Sequence, residues 1–597
     1  MKTQRTILVT TAINFNFKKS KKNISLLGEW CKINERYSKN NFAHKVQKCH
    51  WTDINKLTKD SKYIENQYER ILNILYKDLN KLNNKKKDKR YWRIIIGPWL
   101  TFYVATMFDR WETIRIFFKK NRNLKTSYLK NINKNVLTSK NTLNSLYNAQ
   151  NNDIWNHENF LRIINFNYKK NIKHQAATIS GLKKNRTKGI QYNFKTAIRY
   201  FMKLVDSAIS FFALKYNKVI LESFQFYKSD LIKLHLKSKM IPAFYINIFK
   251  DLELNSNSIL EYNKRKLLLK DLDFSNKSFL HFLVASLRND LPICFLEEFN
   301  KINSSVSYLS NQKKKTIITM TSHFFNERFK IWLAEMISKG SKLQIAHHGG
   351  SLPPQLSLFI DHNEKISDKI LSWFKFNKKI FKQMSPVQLL RYKKIHNKSK
   401  NSCLILACET NRYPVRCQSW PYVEQYKLWF NDINIIVENL QPIIQKKIIY
   451  RCSSEEMGFE TINRFKQKYK KLKSTDIHHS NLTNELSKAK LTICTYPDTT
   501  IADSIMSDTP TIIVFSTKLY RLSKQSNKII KYLKKNNIFF DDMKKASKHI
   551  NNIWTDPNIW WKSSKVQVAL ARFKKEAFNV RENWIEEWSN HINIQSH

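Results

Sequence analysis

The chain has 597 residues, 42% hydrophobic and 13% aromatic, which is enough length for two or three packed domains and too much apolar content for wholesale disorder. Lys and Arg number 105 against 47 acidic residues, a net charge of +58, but they are spread along the whole length, and the densest runs (18–22 and 85–89) read as short solvated loops. No zinc-finger spacing, RNP-like strand or glycine-rich RNA loop accompanies that charge, so it reads as compositional drift toward Lys, Asn and Ile plus attraction to anionic partners, and no nucleic-acid partner is expected.

The opening apolar run is short, at residues 7–12, and lacks the length and cleavage site of a signal peptide. Residues 6–11 (TILVTT) and 24–27 (ISLL) have the β-branched, apolar character of buried parallel strands, and apolar positions between about 60 and 82 recur at helical spacing. The longest apolar stretch, 94–108, is fifteen residues broken by Gly97-Pro98 and falls short of the roughly 20 needed to span a bilayer, so a buried core element is expected. From about 115 to 310 the pattern is mainly helical, with a strand near 218–221. Strand and helix then alternate: strands at 316–322 and 342–346 flank a helix at 326–339. A basic, polar stretch at 376–401 reads as a linker, after which 403–408, 446–452, 491–496 and 511–515 are buried-strand runs. Alternation of this kind predicts βαβ units and parallel sheets, with ligands beyond the carboxyl ends of the strands. The eight cysteines contain no CxxC pair, which fits a reduced cytoplasm.

Two strand ends carry the most chemistry. LTICTY-PDTTIADSIMSDTP-TIIVF (491–515) is a strand, a turn and a helix stopped by Pro510, with Asp498 or Thr499 as its N-cap. Such a helix start, beside Thr499 and Thr500, offers N–H donors and positive dipole to a phosphate, or is simply a capped helix. His347-His348-Gly349-Gly350 follows the strand at 342–346, where a neutral imidazole can accept a proton from a hydroxyl and glycines permit close backbone approach; a turn-capping histidine is the plainer reading. Arg90, Trp92 and Arg93 could stack on a sugar or bind phosphate, or anchor the apolar run in the core. Glu29, at a strand end, could be a base or a solvated loop residue. Adjacent histidines on a strand point to opposite faces, so no metal site is expected.

These residues resemble a family. LLGEWC (26–31), RYWRIIIGPWL (90–100) with FDR (108–110), the HHGG block, ISDKILSWF (366–374), ICTYPDTTIADSIMSDTPTII (493–513), and WTDPNIWWKSSKVQVALARF (554–573) with NWIEEW (583–588) are similar to bacterial transferases of O-antigen and other surface-carbohydrate gene clusters. The resemblance implies a GT-B-like α/β fold, two Rossmann-like domains facing a cleft, with helical insertions in the N-terminal half and a C-terminal helical tail. Its matching sites are His348 in the HGG block and Thr499, Thr500 and Asp503 in the second block. His347 stands where Gln is usual, Ser351-Leu352 where Tyr-Gly is common, Pro497 where Asn is usual and Asp503 where Glu is usual.

The expected organisation is an acceptor-side domain over 1–375 with a helical insertion at about 115–310, a linker at 376–401, a nucleotide-binding domain over 402–553, and a tail over 554–597 that packs back. The expected activity is metal-independent glycosyl transfer from a nucleotide-activated sugar, with no cofactor beyond that co-substrate, to a glycan or lipid-linked glycan of O-antigen type. His348 is the expected base, with Glu29 as alternative. Thr499, Thr500, Asp503, Arg451 and Tyr496 are expected to hold the nucleotide, and His347, Gly349, Gly350, Arg90, Trp92 and Arg93 the substrate. The expected location is the cytoplasm, with peripheral contact at the inner face of the membrane. A basic nucleic-acid-binding protein and an inactive GT-B-like scaffold are the competing readings.

Overall fold

The computed structural model of the protein describes residues 6–13, 24–32, 44–121, 124–129, 137–177, 194–254, 260–272, 277–393, 395, 400–453 and 458–596; the basic run at 18–22 lies outside them. Among the described residues, three parallel sheets form the frame, one more than expected.

The first sheet has the order β3-β2-β1-β4-β5, built from β1 (Thr6–Val9), β2 (Ile24–Leu26), β3 (His44–Val46), β4 (Leu124–Leu129) and β5 (Ile172–Ala177). The second runs β10-β9-β8-β7-β6, from β6 (Val219–Glu222), β7 (Thr316–Thr319), β8 (Lys342–Ala346), β9 (Lys369–Ser372) and β10 (Phe381–Gln383). The third has the doubly wound order β13-β12-β11-β14-β15-β16, from β11 (Ser402–Leu406), β12 (Ile448–Cys452), β13 (Lys473–Asp476), β14 (Ala489–Cys494), β15 (Thr511–Val514) and β16 (Phe539–Phe540). Its central strands SCLIL and TIIV are buried along their whole length, because parallel strands are covered on both faces.

The N-terminal half therefore differs from a single sheet with a helical insertion: β4, β5 and β6 all fall between 115 and 310. LKTSYL and IKHQAA are too polar to announce themselves as buried strands. Residues 376–401 are not purely connecting either, since β10 pairs with β9; residues 394 and 396–399 lie outside the described set. The run 94–108 is the interior of one helix, Lys89–Lys120, that contains Pro98 and starts at the N-cap Asp88, whose carboxylate accepts from the Tyr91 N–H. It packs between the helices Ile54–Leu82 and Glu327–Ser338. In the 85–89 run, Lys85 and Lys87 pair with Glu335, fastening the start of that helix rather than lying free.

The tail packs on the second sheet. Trp584, Trp588 and Ile592 of the helix Trp584–Ser596 share a core with Val219 and Leu221 of the second sheet and with Phe226, which follows β6. Between the second and third sheets, Ser351 Oγ donates to the Asp498 carbonyl at 2.9 Å and the Gln355 N–H to the Arg521 carbonyl at 3.0 Å. The carboxyl ends of β8 and β14 thus face one another, the GT-B-like arrangement, with the first sheet as an additional layer of the α/β fold.

Candidate functional site

In the third sheet the strand order reverses between β11 and β14, and in open α/β sheets that switch point is where ligands bind. A cavity of about 650 Å³ opens there. Its walls are the ends of β11 (Leu406, Ala407) and β12 (Arg451 to Ser453), the loop after β13 (477–482), then Tyr496, Thr500, Asp503 and, from the linker, Tyr392.

Arg451 is 5% exposed and makes no ion pair among the described residues. Its Nη1 donates to the Asp476 carbonyl at 3.1 Å and to Ser480 Oγ. Burial lowers its pKa, countered by Glu485 and Asp476 nearby, but a guanidinium stays charged at neutral pH. Two hydrogen bonds thus hold at the cavity wall a guanidinium that has no carboxylate within ion-pair distance among the described residues. Opposite it, the helix Thr499–Met506 begins at the N-cap Asp498, whose Oδ1 accepts from the Thr499 N–H at 2.8 Å. Asp498 is the cap: its side chain takes the Thr499 N–H and its carbonyl the Ile501 N–H at 3.1 Å, so what this helix start offers an anion rests on Thr500, at the cavity wall, and on the helix dipole.

Asp503 is 6% exposed, and burial pushes its carboxyl up to about 8, so at neutral pH it carries a proton and can donate a hydrogen bond; Arg391 pulls the value down and Tyr392 bonds to it. Burial also raises the Tyr496 phenol, which therefore stays protonated. The Thr500 hydroxyl is buried. Four expected nucleotide residues, Arg451, Tyr496, Thr500 and Asp503, are brought together on one cavity. Thr499 is not on its wall.

Thr499 instead meets the histidine block. A Cβ added at Gly349 would lie 2.5 Å from Thr499 Oγ1, so residue 349 has no room for a side chain. Gly350 has φ +100°, a conformation that L side chains rarely adopt, with open space around it. The two glycines thus serve different ends: one lets the sheets approach, the other turns the chain. His348 is exposed to solvent beside this contact. Desolvation by the surrounding chain lowers its pKa, while the Asp498 carboxylate raises it, and the balance favours the neutral ring. His347 points elsewhere, edge-on to Phe376 and Phe381, and burial lowers it to about 4. Neither histidine lines the cavity.

The remaining expected residues are committed to the fold. Arg90 donates to the Ile366 carbonyl at 2.8 Å and to Asp368 at 3.0 Å. Arg93 grips Glu69 bidentately at 2.6 and 2.7 Å. Trp92 has no exposed surface, and its Nε1 donates to Asn80 at 2.9 Å. These three read as substrate-binding in sequence, but the structure uses them to dock the long helix. Glu29 pairs with Lys32 at 3.4 Å and with Lys427, side chains far from the histidine block in sequence. Sequence reasoning missed Tyr392 and the 477–482 loop. The pair His478-His479 was the one visible signal in that loop.

The sequence profile of the LIC12162 family transferases matches residues 6–592, nearly the whole chain. The chain belongs to the LIC12162 transferase family. It is therefore a transferase by family. No curated protein matches it. Among solved structures, MurG of Acinetobacter baumannii is 10% identical, with a TM-score of 0.29, covering 63% of this chain and 99% of MurG. The UDP complex of MnaA from S. aureus is 8% identical at a TM-score of 0.32, covering 63% of this chain and 95% of MnaA. The wall teichoic acid polymerase TagF is 9% identical at 0.31, covering 68% and 97%. Similarity at that level does not assign an activity.

Proposed function

We propose that the protein is a glycosyltransferase that moves a sugar from a nucleotide-activated donor to a glycan or lipid-linked glycan acceptor of O-antigen type. The observation that carries this reading is the unpaired Arg451 guanidinium facing, across a cavity of about 650 Å³, the helix that starts at Thr499. Cation and helix start together suit the diphosphate or monophosphate of a nucleotide, and can stabilise the leaving phosphate without a metal or any further cofactor. Residues 402–553 hold the donor, and the second-sheet side presents the acceptor. The neutral His348 ring accepts the proton of the attacking acceptor hydroxyl as the sugar's anomeric carbon passes from phosphate oxygen to acceptor oxygen.

A lipid-linked acceptor places the protein at the inner membrane face. No helix among the described residues is long and apolar enough to cross a membrane. The helix Phe194–Tyr216, however, turns Leu204 (55% exposed), Phe212 (54%) and Tyr216 (60%) outward, with Lys215 and Lys218 beside them. An outward apolar stripe rimmed by lysines suits an anionic bilayer surface. Flotation with anionic vesicles, lost in Leu204→Ser/Phe212→Ser, checks that contact.

The main test is a thermal-shift series with UDP, GDP, CMP, CDP and dTDP. One nucleotide should stand out, by about 2.7 kcal/mol of stabilisation at a hundred times its dissociation constant, and Arg451→Gln should abolish the shift. No shift with any nucleotide, alongside salt-sensitive RNA or DNA binding, would replace this reading with the nucleic-acid one.

A further inference from the structure

The helix Thr499–Met506 has a cavity at each end. Its far end, with residues 505–508, forms one wall of a second cavity of about 610 Å³, and the other walls are Lys393 and Ile395 of the linker and Ala571, Lys574, Lys575, Phe578 and Val580 of the tail. This is where both chain crossings between the second and third sheets pass. Three lysines line it against a single carboxylate, Asp508, which already accepts the Trp561 Nε1–H at 3.0 Å and holds φ at +52°. Lys393, Lys574 and Lys575 make no side-chain hydrogen bond or ion pair among the described residues.

Lysines near a helix C-terminus can serve its dipole. That accounts for one cation rather than three, and none of these ammonium groups donates to the last carbonyls of the helix. Lys574 is half-buried, and burial lowers its pKa: desolvation dominates, Lys393 adds repulsion, and Asp508 only partly offsets them. Lys393 and Lys575 are exposed and screened by solvent, but Lys574 is drawn partly out of water beside the Lys393 ammonium, an arrangement that an anion in the cavity would relieve. Ile395, Ile505, Met506, Phe578 and Val580 supply apolar wall beside the charge, and the volume is that of a small-molecule site rather than of a lone phosphate.

We propose that this hinge cavity binds an organic phosphate, its phosphate or diphosphate held by Lys393, Lys574 and Lys575 and its remainder against the apolar wall. The site is separate from the donor cavity and does not depend on the glycosyltransferase reading. Tyr392, which bonds Asp503 in the donor cavity, is the chain neighbour of Lys393, so the two sites share the linker and the helix as common walls.

The test uses the full chain and pyrophosphate as probe. Lysines of the wild-type protein are acetylated with and without pyrophosphate at physiological salt, and the rate at each lysine is read by mass spectrometry. Lys393 and Lys574 should be protected at least tenfold, Lys524, on the exposed face of another helix, should not be, and protection should persist in Arg451→Gln. No protection of Lys393 and Lys574, protection of Lys524 equal to theirs, or loss of protection in Arg451→Gln, overturns the proposal. A second arm replaces pyrophosphate with phosphatidate vesicles: protection by the soluble probe alone assigns a free organic phosphate, and protection by vesicles assigns a lipid-borne one. Calorimetry of Lys393→Gln/Lys574→Gln gives an independent reading, because that variant should lose one class of pyrophosphate site while its unliganded melting temperature is equal to or above wild type. Failure of the nucleotide series with intact lysine protection would sink only the donor reading.

Discussion

Gly349 and Thr499 stand so close across the interface of the second and third sheets that a methyl group on the glycine would sit 2.5 Å from the threonine hydroxyl. Gly349→Ala should therefore destabilise the protein by about 1–3 kcal/mol, the usual effect of overpacking. Thr499→Ala in the same chain should restore most of that loss. Chemical denaturation of the two single variants and the double variant measures the coupling. Strictly additive effects would mean that the two residues do not touch in solution.

Gly350 makes a different prediction because nothing lies within 4 Å of its missing side chain. Gly350→Ala should cost about 1–3 kcal/mol through backbone strain alone. Thr499→Ala should not relieve it. Rescue by that change would show that the loss at 350 is steric after all.

Burial raises the Asp503 carboxyl to about 8. The folded protein thus keeps a proton that the unfolded chain releases above about pH 4. More protons bound in the folded state means that stability from this group falls as pH rises, from about pH 4 until the carboxyl ionises near 8. Asp503→Asn removes this dependence. Its melting temperature relative to wild type should climb between pH 5 and pH 9, and a constant difference across that range would contradict the raised value.

For His348, desolvation outweighs the pull of Asp498 and favours the neutral ring. His348→Ala should lower turnover by about 10²–10⁴-fold while the nucleotide thermal shift persists. The acid limb of the wild-type pH–rate profile should vanish with it. Near-normal turnover would remove His348 from the reaction.

The third sheet and its ligand-facing end were legible because local signals agree there. Four apolar runs of strand length, a capped helix and the stop at Pro510 all point one way, and the cavity lies at the strand ends where the order reverses. The first sheet was hidden for the opposite reason. LKTSYL and IKHQAA become strands through their neighbours rather than their own apolarity. Arg90, Trp92 and Arg93 misled because sugar sites and helix docking use the same residue types, and only contacts with Asp368, Asn80 and Glu69 tell them apart. Tyr392 joins the cavity from a linker more than a hundred residues before Asp503 in sequence, a distance no local pattern spans.

The core that Val219 and Leu221 share with Trp584, Trp588 and Ile592 sets an order of events during synthesis. The last strand of the second sheet ends at Gln383, about 200 residues before the tryptophans that cover its face. At roughly 5–20 residues per second, that face waits on the order of 10–40 s for its partner. During that interval the third unit is made and can fold beside an unfinished neighbour. A nascent chain halted before residue 584 should accordingly hold an apolar face that chaperones bind, and release of the last helix should end that binding.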